Sequence, residues 1–470
     1  MSVRDETLAD SVTADTCRGA RPFRRVLVAN RGEIAVRIHR ACRELGLETV
    51  QVYSEADRES LAVRLANHAV CIGPPRTGQS YLNAEFIVSA ALTHGADAIH
   101  PGYGFLSENA NFAGLCEQEG ITFIGPSARV ISMMGDKAMA RRMADEAGVP
   151  TTPGSKGTVN GAEEARAVAQ RLGYPVILKA AAGGGGRGMR VVADVTELVE
   201  QYTHAAREAK AAFGDDAIYV EKYLTRIRHI EIQVLSDGEN VLHLGERDCS
   251  VQRRNQKLLE ESPSPALDPA VREQIGDAAV RLCRHVGYRS AGTVECILDP
   301  ASGEFYFMEM NTRVQVEHPV TELVTGIDIV KEQIRIARGE RLDIRQGDVR
   351  LAGHAIECRI NAEDADHGFT PCPGLLQHVH LPGGPGIRID SHVYTGYTVP
   401  PYYDSLLAKV IAWGHDRDEA IARMQRALAE MRIEGVKTTI PFHGRLLHHE
   451  QFRRGDVHTK FVEEVLLGAK

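Results

Sequence analysis

Four consecutive glycines, at 183–186, interrupt a chain that is ready to form β-strand on both sides of them. YPVILKA (174–180) precedes them and MRVV (189–192) follows. Gly183, Gly185 and Gly188 satisfy the spacing G-x-G-x-x-G, but a dinucleotide-binding turn opens a helix, and here a second strand pattern follows. No Gly-Lys-Ser/Thr comes next either, which removes a P-loop. What remains is a glycine flap between two strands. Glycine lets backbone N–H groups approach phosphate oxygens closely and take positive φ, and Lys179 adds a point charge just before the flap. A surface hairpin gains nothing from four adjacent glycines, so the stretch reads as a phosphate-binding element.

A second stretch, EFYFMEMNTRVQVEHP (304–319), carries polar residues at every second position: Glu309, Asn311, Arg313, Gln315 and Glu317 alternate with Met310, Thr312, Val314 and Val316. If the segment stays extended, the polar groups share one face. The aromatic flank Phe305, Tyr306 and Phe307 predicts an interior strand. Two carboxylates, an amide and a guanidinium are expensive to bury without partners. Glu295, in the strand-like GTVECIL (292–298), is expected on a neighbouring strand. Glu295, Glu309 and Asn311 would then offer oxygen ligands of the kind Mg²⁺ takes when it shares phosphate oxygens. The competing reading is a solvated sheet face with structural ion pairs.

The rest of the chain alternates strand and helix patterns from Arg24 to about residue 125. RRVLVA, ETVQVYS, AVCIG, AIH and ITFIG read as strands, with helices over 32–46 and 84–95. This predicts a doubly wound parallel sheet. Its first turn, ANRGE (29–33), holds one glycine, which disfavours a nicotinamide dehydrogenase. GDKAMARRMADEAGVP (135–150) reads as a helix capped by Asp136 and ended by Gly148 and Pro150. Further helices are expected over 195–212 and 269–286, short strands and Pro/Gly turns after about 340, and a closing amphipathic helix over 418–431. The expected division is a tail (1–23), an N-terminal domain (24–136), a central domain (137–340) and a C-terminal domain (341–470). QRRNQK (252–257), RHIEIQVL (228–235) and HPGYGFLSEN (100–109) are weak as single motifs.

Charge and thiols narrow the class. The chain of 470 residues has 55 Lys+Arg against 63 Asp+Glu, a net −8, so no global basic field recruits nucleic acid or an acidic membrane. No apolar run is long enough to predict a membrane span. Nine cysteines without a CxxC pair predict reduced thiols and a cytoplasmic location. The tail, with Asp5, Glu6, Asp10 and Asp15, is unlike a targeting peptide.

Together ANRGEIAVRIHRAC, HPGYGFLSENANFA, MGDK, VILKAAAGGGGRGMR, RHIEIQVL, ERDCSVQRRNQK, MEMNTRVQVEHPVTE, HAIECRINAED and GYTVPPYYDS closely resemble biotin carboxylase, the ATP-grasp component of biotin-dependent carboxylases. The resemblance covers about residues 25 to 460. It implies an α/β (α+β overall) ATP-grasp fold: a doubly wound N-terminal domain, a central glycine-flap ATP-binding region and a C-terminal mixed β/α domain. It implies ATP- and Mg²⁺-dependent carboxylation of carrier-linked biotin by bicarbonate, with Mn²⁺ as a possible substitute metal.

Carried over by motif, Lys137 and Lys179 hold nucleotide phosphates, Gly185 and Gly186 belong to the closing flap, and Glu221, Lys222, Tyr223 and Leu224 form the hinge beside adenine, largely through backbone groups. His229 lies near the nucleotide, and Asn255, where many family members have His, is expected near the ribose. Glu295, Glu309 and Asn311 are the metal ligands. Lys257, Arg313, Gln315 and Val316 surround bicarbonate, Glu317 is the base, and Arg359 faces bicarbonate and biotin, with Tyr103 on the biotin side. The resemblance further implies a homodimer with Arg37, Glu44 and Asp404 at its contacts. With no Met-Lys-Met biotinylation motif in the chain, the biotin carboxyl carrier protein and the carboxyltransferase are expected on other chains. An acetyl- or propionyl-CoA carboxylase system is expected. The alternatives are pyruvate or urea carboxylase and a non-catalytic, nucleotide-binding regulatory protein.

Overall fold

The computed structural model describes residues 23–155, 157–181 and 188–468. Strands β1 (Arg25–Val28), β2 (Glu48–Tyr53), β3 (His68–Cys71), β4 (Ala98–His100) and β5 (Thr122–Phe123) form a five-stranded sheet in the order β3-β2-β1-β4-β5, and every pair is parallel. Strand order reverses between β1 and β4, the position where open α/β sheets bind ligands beyond their carboxyl ends. There Asn30 Nδ2 donates to the carbonyls of Pro101 (2.6 Å) and Tyr103 (2.7 Å). Gly102 has φ +63°, and a Cβ on it would lie 2.9 Å from that Nδ2, so the HPGYG turn needs its glycine both for conformation and for space.

Strands β6 (Val176–Ala180), β7 (Met189–Val192) and β8 (Ile218–Lys222) make a small antiparallel sheet, β7-β6-β8. The strand–glycine–strand reading holds for its two strands, while Gly185 and Gly186 lie outside the described residues. Helix Lys137–Glu146 is capped as expected: Asp136 Oδ1 accepts from Met139 N at 2.8 Å.

The third body is an eight-stranded antiparallel sheet. It contains β9 (Arg228–Ser236), β10 (Val241–Arg253), β11 (Gln256–Ser262), β12 (Ser290–Leu298), β13 (Phe305–Asn311), β14 (His354–Asn361), β15 (Ile387–Ser391) and β16 (Leu406–Gly414), in the order β13-β12-β9-β10-β11-β14-β16-β15. Alternation sorts its two faces. Ile230, Ile232 and Val234 of β9 and Val294, Cys296 and Leu298 of β12 pack with Ile275, Ala279 and Leu282 of helix Pro269–Val286. The residues between them, His229, Glu231, Gln233 and Glu295, face the other way.

The structure departs from four expectations. The segment after 304 is strand only to Asn311, and 312–317 turns into helix His318–Thr325; it does not stay extended. β13 is an edge strand, not an interior one. Its aromatic residues are buried all the same, because Phe307 N bonds Pro150 O at 2.7 Å and the 150–151 segment covers the edge. After residue 340 the chain supplies two long strands, β14 and β16, to the same large sheet. The amphipathic helix Arg417–Glu430 does not close the chain, since helices Ile440–His448 and Glu450–Arg453 follow it. No helix among the described residues is long and apolar enough to cross a membrane.

Candidate active site

A cleft of about 1760 Å³ opens where the three bodies meet, lined among others by Tyr103, Lys137, Lys179, Glu221, His229, Asn255, Lys257, Glu295, Glu309, Asn311, Arg313, Gln315, Val316, Glu317 and Arg359. The polar face forecast from 304–317 is therefore brought together, although by a strand and a turn and not by one strand.

At the strand end, Glu309 stands directly opposite Glu295, and a register shift between Glu295 and Cys296 leaves Met308 as an extra residue. The bulge returns Phe307 to the core while Met308 and Glu309 both line the cleft, a usual place for a bulge. Among the described residues the Glu309 carboxylate has no hydrogen bond or ion pair. Burial, and then Glu295 across the strands, push it above the ordinary carboxylate range. Asn311 Nδ2 donates to Glu295 Oε1 at 2.8 Å, and Asn311 Oδ1 accepts from Arg313 at 2.9 Å. His229 Nε2 lies 3.0 Å from Glu295 Oε2.

In the turn, Glu317 sits at the start of helix His318–Thr325 with one oxygen on Lys257 Nζ (2.6 Å) and the other on Arg359 (2.8 Å). Burial alone would raise this carboxyl, but Lys257, then Arg359 and Arg247, outweigh it and hold it well below the usual range. Lys257 also donates to Glu231 (2.5 Å) and Glu295 (3.1 Å). Arg313 Nε donates to Glu108 at 2.8 Å. Gln315 Nε2 bonds Glu295 Oε1 at 2.7 Å. Tyr103 donates to Glu33 Oε1 at 2.5 Å.

On the other side of the cleft, Lys137 is exposed and, among the described residues, unpaired. Lys179 reaches Glu221 Oε2 at 2.5 Å, and Arg141 holds the other Glu221 oxygen at 2.5 Å. The side chains of Lys222 and Tyr223 are not in the cleft. Lys222 Nζ bonds the carbonyls of Gly173 and Tyr174, and the Tyr223 hydroxyl accepts from Lys460. Their N–H groups bond Pro153 O and Pro175 O, whereas the Leu224 N–H has no partner among the described residues. Asn255 has φ +63° and follows Arg254 at φ +48°. The two form the tight turn between β10 and β11, whose flanking pair is Arg253 and Gln256.

Sequence reasoning missed three residues on which this site is built, Arg247, Lys409 and Glu260, and named Glu357 only as a structural partner of Arg359. Arg247, fully buried, donates to Glu231 (2.6 Å), Gln233 (2.7 Å), Gln315 (2.6 Å), Thr321 (3.0 Å) and Thr293 (3.2 Å). The alternation of Glu231 and Gln233 against isoleucine in RHIEIQVL was the available signal for it. Lys409, also fully buried, bonds Val316 O at 2.7 Å and Glu33 at 3.0 Å. Glu260 and Glu357 lie beneath Arg359. Of the residues expected at a dimer contact, Glu44 and Asp404 are exposed. Arg37 is instead buried in ion pairs with Glu322 and Asp328 of its own chain.

Family models match almost end to end: "Biotin carboxylase, N-terminal domain" over 22–131, "Carbamoyl-phosphate synthase L chain, ATP binding domain" over 136–345, and "Biotin carboxylase C-terminal domain" over 357–464. Biotin carboxylase of Nostoc sp. is 59% identical over 444 residues, 94% of this chain and 99% of that one. The chain belongs to the biotin carboxylase family. It is an ATP-dependent ligase of the ATP-grasp fold that carboxylates biotin. A pyruvate carboxylase subunit of Methanothermobacter thermautotrophicus is 54% identical, covering 95% of this chain and 91% of that one. Among solved structures, the biotin carboxylase domain dimer of the Hydrogenobacter thermophilus 2-oxoglutarate carboxylase, in complex with MgADP, ADP and bicarbonate, has a TM-score of 0.86 at 53% identity, covering 94% of this chain and 98% of that one.

Proposed function

We propose that this biotin carboxylase runs the first half-reaction of an acyl-CoA carboxylase, of the acetyl- or propionyl-CoA type, through carboxyphosphate. The observation that carries the assignment of roles is Glu317 held between Lys257 and Arg359, with Arg313 beside it in the same cleft. Glu317, ionised, takes the proton of bicarbonate and makes it a better nucleophile. Lys257, Arg313, Gln315 and the Val316 backbone orient the anion, since a planar guanidinium fork matches a planar carboxyl group. Lys137 and Lys179 neutralise phosphate charge, the main task in phosphoryl transfer. Attack on the γ-phosphorus forms carboxyphosphate and ADP. Carboxyphosphate then releases CO₂ and phosphate, phosphate takes the ureido proton of biotin, and Arg359, with Tyr103 in the same cleft, stabilises the resulting oxyanion. The Leu224 N–H, without a partner among the described residues, suits an adenine nitrogen, and His229, Glu221 and Asn255 flank the nucleotide.

Glu295, Glu309 and Asn311 fit a divalent cation. Two opposed carboxylates, one of them unpartnered among the described residues and raised by its neighbour, would be relieved by a bound cation. Mg²⁺, or Mn²⁺ in its place, would neutralise the ATP phosphates there. The biotin carrier and the carboxyltransferase belong to other chains, and the chain pairs with a second copy as the Hydrogenobacter domain does. The eight described cysteines are all unbridged, which fits a cytoplasmic setting. A second reading, the corresponding component of a pyruvate-type carboxylase, is favoured by the Methanothermobacter relative. Purified chain should hydrolyse ATP only with bicarbonate present, faster with free biotin. Hydrolysis indifferent to both would turn the reading to a regulatory nucleotide-binding protein. Partner chains recovered with the protein, tested on acetyl-CoA, propionyl-CoA and pyruvate, decide the acceptor.

A further inference from the structure

The carboxylates beneath Arg359 have no part in the chemistry above. Glu260 of β11 and Glu357 of β14 are directly opposite in antiparallel register, so both side chains leave the same face of the sheet. Both are fully buried. Arg359 Nε donates to Glu260 Oε1 at 2.6 Å. Among the described residues, the other Glu260 oxygen and both oxygens of Glu357 have no hydrogen-bond partner.

Lys257 and Lys409 act on the pair only through space, since their donors are engaged elsewhere. Lys257 of β11 is engaged by Glu231, Glu295 and Glu317. Lys409 of β16 is engaged by Glu33 and Val316 O, with Asp390 of β15 at 3.8 Å. On the helix above, Glu322 pairs with Arg37 and Arg388, and burial holds His318 neutral. On β10, burial holds the Cys249 thiol protonated. Arg359 is thus the one cation bonded directly to the pair among the described residues. Two ionised carboxylates with three unpartnered oxygens in a buried site are costly. One proton removes a charge and supplies an O–H for the facing carboxylate.

We propose that Glu260 and Glu357 share one proton, and that this proton fixes where Arg359 points. With the proton in place the pair carries a single negative charge, and the guanidinium divides its donors between Glu260 and Glu317. Without it, the doubly charged pair draws Arg359 away from Glu317 and the cleft. The two glutamates are positioning residues, and the inference rests on the reading of Arg359 as a biotin contact. Burial, working against Arg359, pushes Glu260 up to about 7, and burial carries Glu357 well above the usual range, so the proton is present at neutral pH.

Difference infrared spectroscopy of the intact chain tests the proton without reference to activity. Wild type should show a buried protonated carboxyl at pH 7 that Glu357→Gln removes from the spectrum. The raised carboxyl of Glu309 is common to both proteins and cancels. In kinetics, the wild-type kcat/KM for biotin should fall on the alkaline side of neutrality, as the proton held by burial is lost. Glu357→Gln imitates the protonated form and should abolish that fall. Glu260→Gln should raise KM for biotin by about tenfold, the scale of one hydrogen bond to a charged group, with KM for ATP unchanged. A wild-type spectrum without such a carboxyl, or a Glu357→Gln pH profile that superimposes on wild type, overturns the proposal. Unchanged biotin kinetics in Arg359→Lys would instead sink the role given to Arg359, while the infrared band decides the shared proton on its own.

Discussion

Lys257 Nζ lies 2.6 Å from Glu317 Oε1, so the lysine proposed to receive the anion also grips the proposed base. The grip keeps Glu317 ionised, which a base requires, but it also lowers basicity. An anion that claims donors of Lys257 and Arg313 loosens the Lys257–Glu317 contact. On the proposed assignment, bicarbonate therefore makes its own base stronger as it binds.

Glu317→Gln should bind nucleotide normally and lose on the order of 10²-fold or more in bicarbonate-dependent ATP turnover, the scale of general-base removal. The amide still occupies the place between Lys257 and Arg359 but accepts no proton. Turnover and nucleotide affinity measured on one folded preparation check this. Near-normal turnover would remove Glu317 from the mechanism.

Glu309 should make metal affinity depend on pH. Its carboxyl is raised by burial and by Glu295, and a cation needs it ionised. Mg²⁺ affinity should then climb as pH rises above the ordinary carboxylate range. Glu309→Gln should flatten that climb and raise the Mg²⁺ requirement by about tenfold or more. Titrating Mn²⁺ or Mg²⁺ against nucleotide binding, without turnover, reads the effect. A wild-type affinity independent of pH would place the cation elsewhere.

The N-terminal sheet was legible because each of its strands has its own short apolar run and its own turn residues. The two strands that flank the glycines, the capped helix at Lys137 and the pairing of Glu295 with Glu309 were legible from local patterns of the same kind. The buried ionic framework was not. Arg247 and Lys409 read as ordinary strand residues, and only register across strands far apart in sequence brings Arg247 under Gln315 and Lys409 under Val316. The bulge at Met308 and the turn at 312–317 were hidden because strict alternation continues through the letters after the strand has ended.

Glu260 and Glu261, adjacent in β11, should affect stability with opposite signs. Glu261 faces Arg417 Nε (2.6 Å) and His354 Nε2 (2.8 Å). Burial would raise it, but Arg417 and then His354 bring it down to about 2. Its contribution is full above the ordinary value near 4.5 and is lost as pH falls from there toward about 2. Glu260, raised to about 7, contributes fully below 4.5 and loses that contribution as pH rises through about 7. Denaturant unfolding of Glu261→Gln and Glu260→Gln across pH 3 to 8 should show the first losing the acid-side slope and the second the neutral-side slope, a range set by carboxylate linkage on the order of these values. Parallel profiles for both variants would contradict the two environments.

Asn255 joins a backbone requirement to a proposed ligand contact, and the two can be separated. Its φ of +63° is a conformation that Asn and Gly adopt readily and Ala does not, and its side chain lines the cleft. Asn255→Ala would therefore mix turn strain with loss of a bond. Asn255→Gly keeps the turn and removes only the amide, so ATP affinity should weaken by about 1 kcal/mol, the net scale of one neutral hydrogen bond, with thermal stability nearly unchanged. Asn255→His keeps a donor and an acceptor at the same place and tolerates positive φ better than most residues. It should remain active and add a pH-dependent component to ATP affinity between about pH 6 and 7, where an imidazole gains charge near the nucleotide. Nucleotide titrations of both variants at two pH values supply the readout. If Asn255→Gly binds ATP as wild type does, the residue serves the turn alone and the nucleotide contact is withdrawn.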